Sequence, residues 1–257
     1  MNLWQTILMG IVEGITEFLP ISSTGHLILT SRLLNIAQSS FLSSFEIAIQ
    51  LGAILAVVLL YWRSLILEKE VLKRVIAAFI PTAVIGLIFY KAIKHVLMGS
   101  ELVVVWSLLI GGVILIVFEL FYRERKDSLE DISALSYKQA VLIGIFQSFA
   151  MVPGVSRSAA TIIGGLSLGL RRKTIVEFSF LLAVPTMAAA AGLDIVKNAA
   201  SFSADQIGLL TIGFLVAFFI AIIIIKFLLY FIKNHNFIVF GIYRVAVAVL
   251  FLMLWTR

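Results

Sequence analysis

Residues 13–26 read Glu13-Gly14-Ile15-Thr16-Glu17-Phe18-Leu19-Pro20-Ile21-Ser22-Ser23-Thr24-Gly25-His26. An apolar stretch precedes them from residue 2, and another follows to Leu34. Proline removes a backbone donor and clashes with the preceding helical turn, so Leu19-Pro20 ends one helix. Hydroxyl side chains favour helix starts, so Ser22-Ser23-Thr24 opens the next. A helix needs ~20 apolar residues to cross a bilayer, and neither half is that long. The stretch therefore reads as a re-entrant hairpin that enters a membrane, turns and leaves on the same side. Broken backbone at that depth is tolerated only where protein buries it or a wet cavity meets it.

The reading extends outward in both directions. Residues 136–151 run to Val152-Pro153-Gly154, and the chain restarts at Ser156-Arg157-Ser158 before an apolar run to Leu170, which gives a second hairpin. Six further segments read as full spans, at 41–62, 75–98, 101–122, 174–197, 207–232 and 236–257. The expected fold is an all-α integral membrane protein with six transmembrane helices, two re-entrant helical hairpins and an inverted-topology repeat.

Composition agrees. The 257 residues are 61% hydrophobic and only 13% charged, with a mean hydropathy of +1.11. Soluble domains carry about 25% charged residues. An ordinary soluble enzyme, a disordered tail and a nucleic-acid binder are thereby excluded. The chain has no cysteine, which excludes disulfides, thiol catalysis and Cys-bound metals. The first basic residue is Arg32, and Glu13 and Glu17 interrupt the first apolar run, so no cleavable signal peptide is expected.

The order is hairpin, three spans, charged loop, hairpin, three spans. This divides one polytopic domain, 1–257, into repeat 1 (1–122), a cytoplasmic linker (123–135) and repeat 2 (136–257). Gly10-Ile11-Val12-Glu13 resembles Gly144-Ile145-Phe146-Gln147. A hairpin keeps the chain on one side and three spans change it, so the second half enters from the opposite face, as in inverted-repeat transporters. Basic residues set the orientation. Arg32, Lys91, Lys94, Lys197 and Arg257 fall on the N-terminal side. Arg63, Lys69, Lys73, Arg74, Arg123, Arg125, Lys126, Lys138, the Arg171-Arg172-Lys173 triplet and Lys233 fall on the other. The second side is therefore the cytoplasm, and both termini face out.

Ionisable groups inside a membrane are costly and mark function by default. Glu13 and Glu17 stand at i,i+4 and share a helix face. Two adjacent carboxylates need a shared proton or a cation, and a hard divalent ion with retained waters suits them. Ser22, Ser23 and Thr24 open a helix, where free N–H groups favour an anion, although hydroxyls there are also ordinary caps. His26 lies one turn beyond Ser23, within reach of its hydroxyl, and a Ser–His pair can form an activated nucleophile. His26 could equally serve as a general acid. Gly154, Ser156, Arg157 and Ser158 repeat the arrangement, with Thr161 on the same face. The planar fork of Arg157 matches phosphate oxygens; a structural ion pair with Glu13, Glu17 or Glu177 is the bland alternative. Glu46 and Glu177 hold matching places near span starts and are expected to support the site. Arg244 has no assignable partner, and Glu119, Asp194 and Lys226 are expected to snorkel. The set handles a phosphorylated lipid, hydrolysing it or moving it.

The stretch Glu13–His26 resembles the first signature of the undecaprenyl-diphosphatases of the bacitracin-resistance type, and Pro153-Gly154-Val155-Ser156-Arg157-Ser158-Ala159-Ala160-Thr161 resembles the second. Phe45-Glu46, Gln50-Leu51-Gly52 and Glu177-Phe178-Ser179-Phe180 fit too, and the likeness covers essentially the whole chain. Ala159 stands where glycine is frequent. The resemblance implies hydrolysis of undecaprenyl diphosphate to undecaprenyl phosphate and phosphate. That recycles the lipid carrier of cell-wall synthesis and blunts bacitracin, which sequesters the diphosphate lipid. It implies a divalent cation, Mg2+ or Ca2+, and a site opening to the outer face of the bacterial plasma membrane. Carried over, Ser23 is the nucleophile and Arg157 the phosphate clamp. His26 and Glu17 are acid/base partners, and Glu13 with Glu17 are metal ligands. Ser22, Thr24, Ser156, Ser158 and Thr161, with Glu13, line the diphosphate pocket. The expected partners are a polyprenyl diphosphate lipid and the bilayer, with a second copy of the chain as a candidate and no nucleic acid. The rival reading is a transporter or flippase of a phosphorylated polyprenyl lipid.

Overall fold

The computed structural model describes residues 1–92, 101–125, 127–198 and 203–255. Among them the regular elements are all helices, and the only β pairing is an isolated bridge between Leu129 and Leu170. The elements are α1 (Leu3–Thr16), α2 (Ser23–Leu33), α3 (Ser40–Ile66), α4 (Lys69–Ala92), α5 (Glu101–Phe121), α6 (Tyr137–Ser148), α7 (Arg157–Ser167), α8 (Arg172–Asn198), α9 (Ala204–Phe231) and α10 (Ile238–Trp255). Five of these, α3, α4, α5, α8 and α9, are long and apolar enough to cross a membrane among the described residues. The sixth expected span is α10, whose 18 residues reach only about 27 Å at the usual helical rise. Lys94, Lys126, Arg257 and the ends of spans 75–98 and 236–257 lie outside the described residues, as does the side chain of Asp194.

Each expected hairpin is a pair of short helices broken within a few residues of the expected point. α1 opens with a capping box between Asn2 and Gln5, and α6 with one between Ser136 and Gln139. Each box satisfies two orphan donors at once. The same glutamines tie the hairpins shut. Gln5 Nε2 donates to Leu34 O at 3.1 Å, and Gln139 Nε2 donates to Leu168 O at 3.1 Å. The start of the first helix is thus fastened to the end of the second, which makes both pairs antiparallel.

The hairpins are held by helices of the other half. α1 lies on α9 and α6 on α4, while α3 meets α8 and α5 meets α10. Gly10 and Gly144 sit at equivalent close approaches: a Cβ there would come within 2.9 Å of Gly213 O and 2.0 Å of Ala78 O respectively. Small residues let backbones pack this closely without a hydrophobic driving force in lipid. One large apolar core runs from Phe18 through Ala53, Phe178, Phe180 and Ile225, so it joins the first hairpin turn to α3, α8 and α9. Outward faces stay apolar and exposed, as on α5 (Trp106, Ile110, Val117, Phe121), which is a surface suited to lipid rather than water.

One expectation about a single charge changes. Glu119 does not snorkel: it is buried and bonds the guanidinium of Arg172 with both oxygens. A carboxylate this deep is held by its partner rather than by water. Lys226, by contrast, is exposed.

Candidate active site

Ser22 and Ser156 explain how both hairpins restart. Each adopts a positive φ, 74° and 77°, which is uncommon for a residue with a side chain. Each then caps its helix, Ser22 Oγ accepting from Gly25 N at 3.3 Å and Ser156 Oγ from Ala159 N at 3.2 Å. Gly154, φ 94°, precedes the second turn, and a Cβ there would lie 2.6 Å from Val104 O. Glycine alone takes that conformation and that contact without strain. The turns deliver Ser23 and Arg157 as the first residues of α2 and α7.

These two residues meet at Glu17. Ser23 Oγ donates to Glu17 Oε2 at 2.5 Å, and Arg157 Nη2 donates to Glu17 Oε1 at 2.7 Å. The side chains of Arg157 and Glu17 are 12% and 5% exposed, so the pair is desolvated and depends on its hydrogen bonds. Arg157 Nη1 reaches Ser179 O at 2.7 Å, and the guanidinium lies over the Phe18 ring, 5.8 Å from its centroid. Thr161 Oγ1 shares a 2.7 Å bond with Ser179 Oγ. Ser158 Oγ donates to Phe18 O at 2.9 Å. Both helix starts are therefore fastened to Glu17-Phe18.

Glu13 lies one turn back on α1. It is fully buried, and neither carboxylate oxygen has a donor. Glu17 and Glu46 are close enough for their charges to act on it. Three carboxylates against one guanidinium leave the pocket short of positive charge. The orphaned oxygens of Glu13 fit one face of a hard divalent cation. Among the described residues no group of three or more His, Cys, Asp or Glu side chains could close a metal cage, so a cation held here would take its remaining ligands from phosphate oxygens and water, as magnesium commonly does. Arg157 Nε is also buried without an acceptor, which leaves an N–H for an incoming anion.

Other expected residues stand elsewhere. His26 is not bonded to Ser23. Its Nδ1 lies 2.8 Å from Ser22 O and its Nε2 2.9 Å from Tyr243 OH. A carbonyl only accepts, so a neutral ring carries its proton on Nδ1 and Nε2 accepts from Tyr243. Glu17 takes the place expected of the imidazole at Ser23. The hydroxyls of Ser22 and Ser156 are engaged as caps, and Thr24 is exposed. Glu177 accepts a bond from Tyr61 and lies 4.0 Å from Lys173, away from Glu17. A separate cleft of about 570 Å³, lined by Glu124, Glu130, Arg171–Thr174 and Ile232–Asn236, holds none of these residues.

Three contributors were not singled out from the sequence: Ser179, Tyr243 and the backbone carbonyl of Phe18. Ser179 and Tyr243 are polar positions within mainly apolar spans, and Ser179 also falls in the family-like stretch Glu177–Phe180.

A family model described as "Bacitracin resistance protein BacA" matches residues 6–250. The chain is 53% identical over 251 residues to the undecaprenyl-diphosphatase of Aquifex aeolicus, covering 98% of both chains. It is 51% identical to that of a Sulfurihydrogenibium species, covering 99% of this chain and all of the relative. It is 44% identical to that of Methanococcus aeolicus, covering both chains completely. With the motif residues gathered around Glu17 and the match running nearly end to end, the chain belongs to the BacA family of bacitracin resistance proteins.

Proposed function

We propose that this chain is a multi-pass membrane phosphatase that hydrolyses undecaprenyl diphosphate to undecaprenyl phosphate and inorganic phosphate. This returns the lipid carrier to cell-wall synthesis and accounts for bacitracin resistance in the family. The observation that carries the reading is the Glu17 carboxylate, whose two oxygens hold the Ser23 hydroxyl and the Arg157 guanidinium from opposite halves of the chain. A transporter has no need of a hydroxyl bonded to a buried carboxylate, and the relatives are named for hydrolysis.

In the proposed reaction Ser23 Oγ attacks the terminal phosphorus in line while Glu17 Oε2 takes its proton. The bond from phosphorus to the bridging oxygen breaks, and undecaprenyl phosphate leaves. Water then cleaves the phosphoserine, releasing phosphate and restoring the hydroxyl. Phosphoryl transfer depends mainly on positioning and charge neutralisation. Arg157 supplies both through its free Nε–H, and the uncapped N–H groups at the starts of α2 and α7 add to it. As the imidazolium, His26 donates Nε2–H to the Tyr243 oxygen while the tyrosine hydroxyl passes its own proton to the leaving phosphate, which returns His26 to the neutral ring with its proton on Nδ1. Glu13, with Glu17 beside it, would hold Mg2+ or Ca2+, which would neutralise the diphosphate. Ser158 and Thr161 act by fixing Phe18 and Ser179, Glu46 adds negative charge near Glu13, and Glu177 stands apart with Lys173 and Tyr61.

In the same reading both hairpins are re-entrant in an inverted repeat, α10 is the sixth crossing and the termini face out of the inner membrane. The exchange of packing partners between halves, α1 on α9 and α6 on α4, supports it. Phosphate release from undecaprenyl diphosphate by purified protein in detergent, with Mg2+ or Ca2+ added, tests the proposal. The parent protein should release phosphate, and Ser23→Ala should lose nearly all activity. No release by the parent would sink the enzyme reading, and near-parent activity in Ser23→Ala would replace the serine with an activated water.

A further inference from the structure

Arg244 is fully buried in α10, and no acidic side chain among the described residues bonds to it. A guanidinium at membrane depth without a carboxylate is costly. The cost is offset by five main-chain carbonyls. Nε donates to Leu108 O at 3.4 Å. Nη1 donates to Pro20 O at 3.4 Å and Val155 O at 3.0 Å. Nη2 donates to Ser107 O and Gly154 O, each at 3.0 Å. A guanidinium has five N–H donors in a rigid fork, and all five are used.

The carbonyls matter more than their number. Pro20 lies in the turn that ends at Ser22 and Ser23. Gly154 and Val155 form the turn that ends at Ser156 and Arg157. Leu108 and Ser107 belong to α5, which packs on α10. One side chain thus reaches both hairpin turns from behind the site and fastens them to a common frame. Gly111 makes room for it: a Cβ there would lie 2.1 Å from Nη2.

We infer that Arg244 is a positioning residue that sets the separation of the two hairpin turns, and with it the alignment of Ser23 and Arg157 on the diphosphate. This rests on the proposed hydrolysis. It predicts a loss of turnover more than of binding, since misplacing reacting groups by about 1 Å can cost about 10²-fold in rate.

Arg244→Lys tests the inference, because lysine keeps the charge but lacks the fork. In detergent, with protein judged folded by gel filtration and thermal unfolding, kcat for phosphate release should fall about 10²-fold while KM stays near that of the parent. Gly111→Ala is the second variant, for the case in which Arg244→Lys does not fold. It removes no donor and pushes on Nη2, and the same kcat-weighted loss is expected. Parent-like kcat in whichever variant folds would overturn the inference, as would a loss confined to KM. A lowered unfolding temperature with unchanged kcat per folded molecule would overturn it too, leaving only a structural brace. Inactivity of the parent would instead remove the hydrolysis reading on which it rests.

Discussion

At the scale of single residues, the sequence showed which groups matter better than it showed which of them touch. Glu17, Ser23 and Arg157 stand out as polar groups in apolar hairpins, and the fold brings them to one carboxylate. The spacing of Ser23 and His26 suggested a bond between them, yet Ser22 O and Tyr243 OH hold the ring elsewhere. Tyr243 is 217 residues from His26, and such contacts leave no trace in local spacing. Arg244 and Glu119 fail for the same reason, since their partners come from distant helices. The donor-free oxygens of Glu13 give a test at this scale. Glu13→Gln keeps the shape and removes the charge, so the divalent-ion concentration for half-maximal phosphate release should rise at least about tenfold, the lower end of what disturbing a metal site costs. Equal metal titrations for variant and parent would take Glu13 out of the metal site.

At the scale of elements, proline and hydroxyl residues located the breaks closely. Leu19-Pro20 and Pro153-Gly154 both fall in the gaps between short helices, and Ser22 and Ser156 cap α2 and α7, the second helix of each hairpin. These signals are local, set by backbone chemistry within a few residues, which is why they were legible. The positive φ at both serines was not, because tertiary contacts impose it. The hairpins also predict sidedness. The chain lacks cysteine, so exposed Gln38 and Lys138, just outside the first hairpin's end and at the second hairpin's start, can be replaced one at a time. In intact cells a membrane-impermeant thiol reagent should label Gln38→Cys and leave Lys138→Cys unlabelled until the membrane is opened. Labelling of both from the same side would contradict the inverted arrangement.

At the scale of the whole molecule, a low charge content makes the few buried charges informative. Among the described residues most basic side chains sit at helix ends and loops, where in the proposed topology they would set orientation. Arg157, with 12% of its side chain exposed, faces Glu17, and the fully buried Arg244 braces the turns behind it. Neither half holds a complete site: Ser23 and Glu17 come from the first hairpin and Arg157 from the second. A shared site makes the two halves act as a unit, and groups that act as a unit lose activity non-additively. The most direct measurement is therefore kcat/KM for phosphate release in Glu17→Gln, Arg157→Lys and the double variant. Each single change should cost on the order of 10²–10³-fold, as loss of one preorganised charge contact does, and the double variant should be little worse than the poorer single. Parent-like activity in either single variant, or losses that multiply in the double, would contradict a catalytic site built on the Glu17 bridge between the two hairpins.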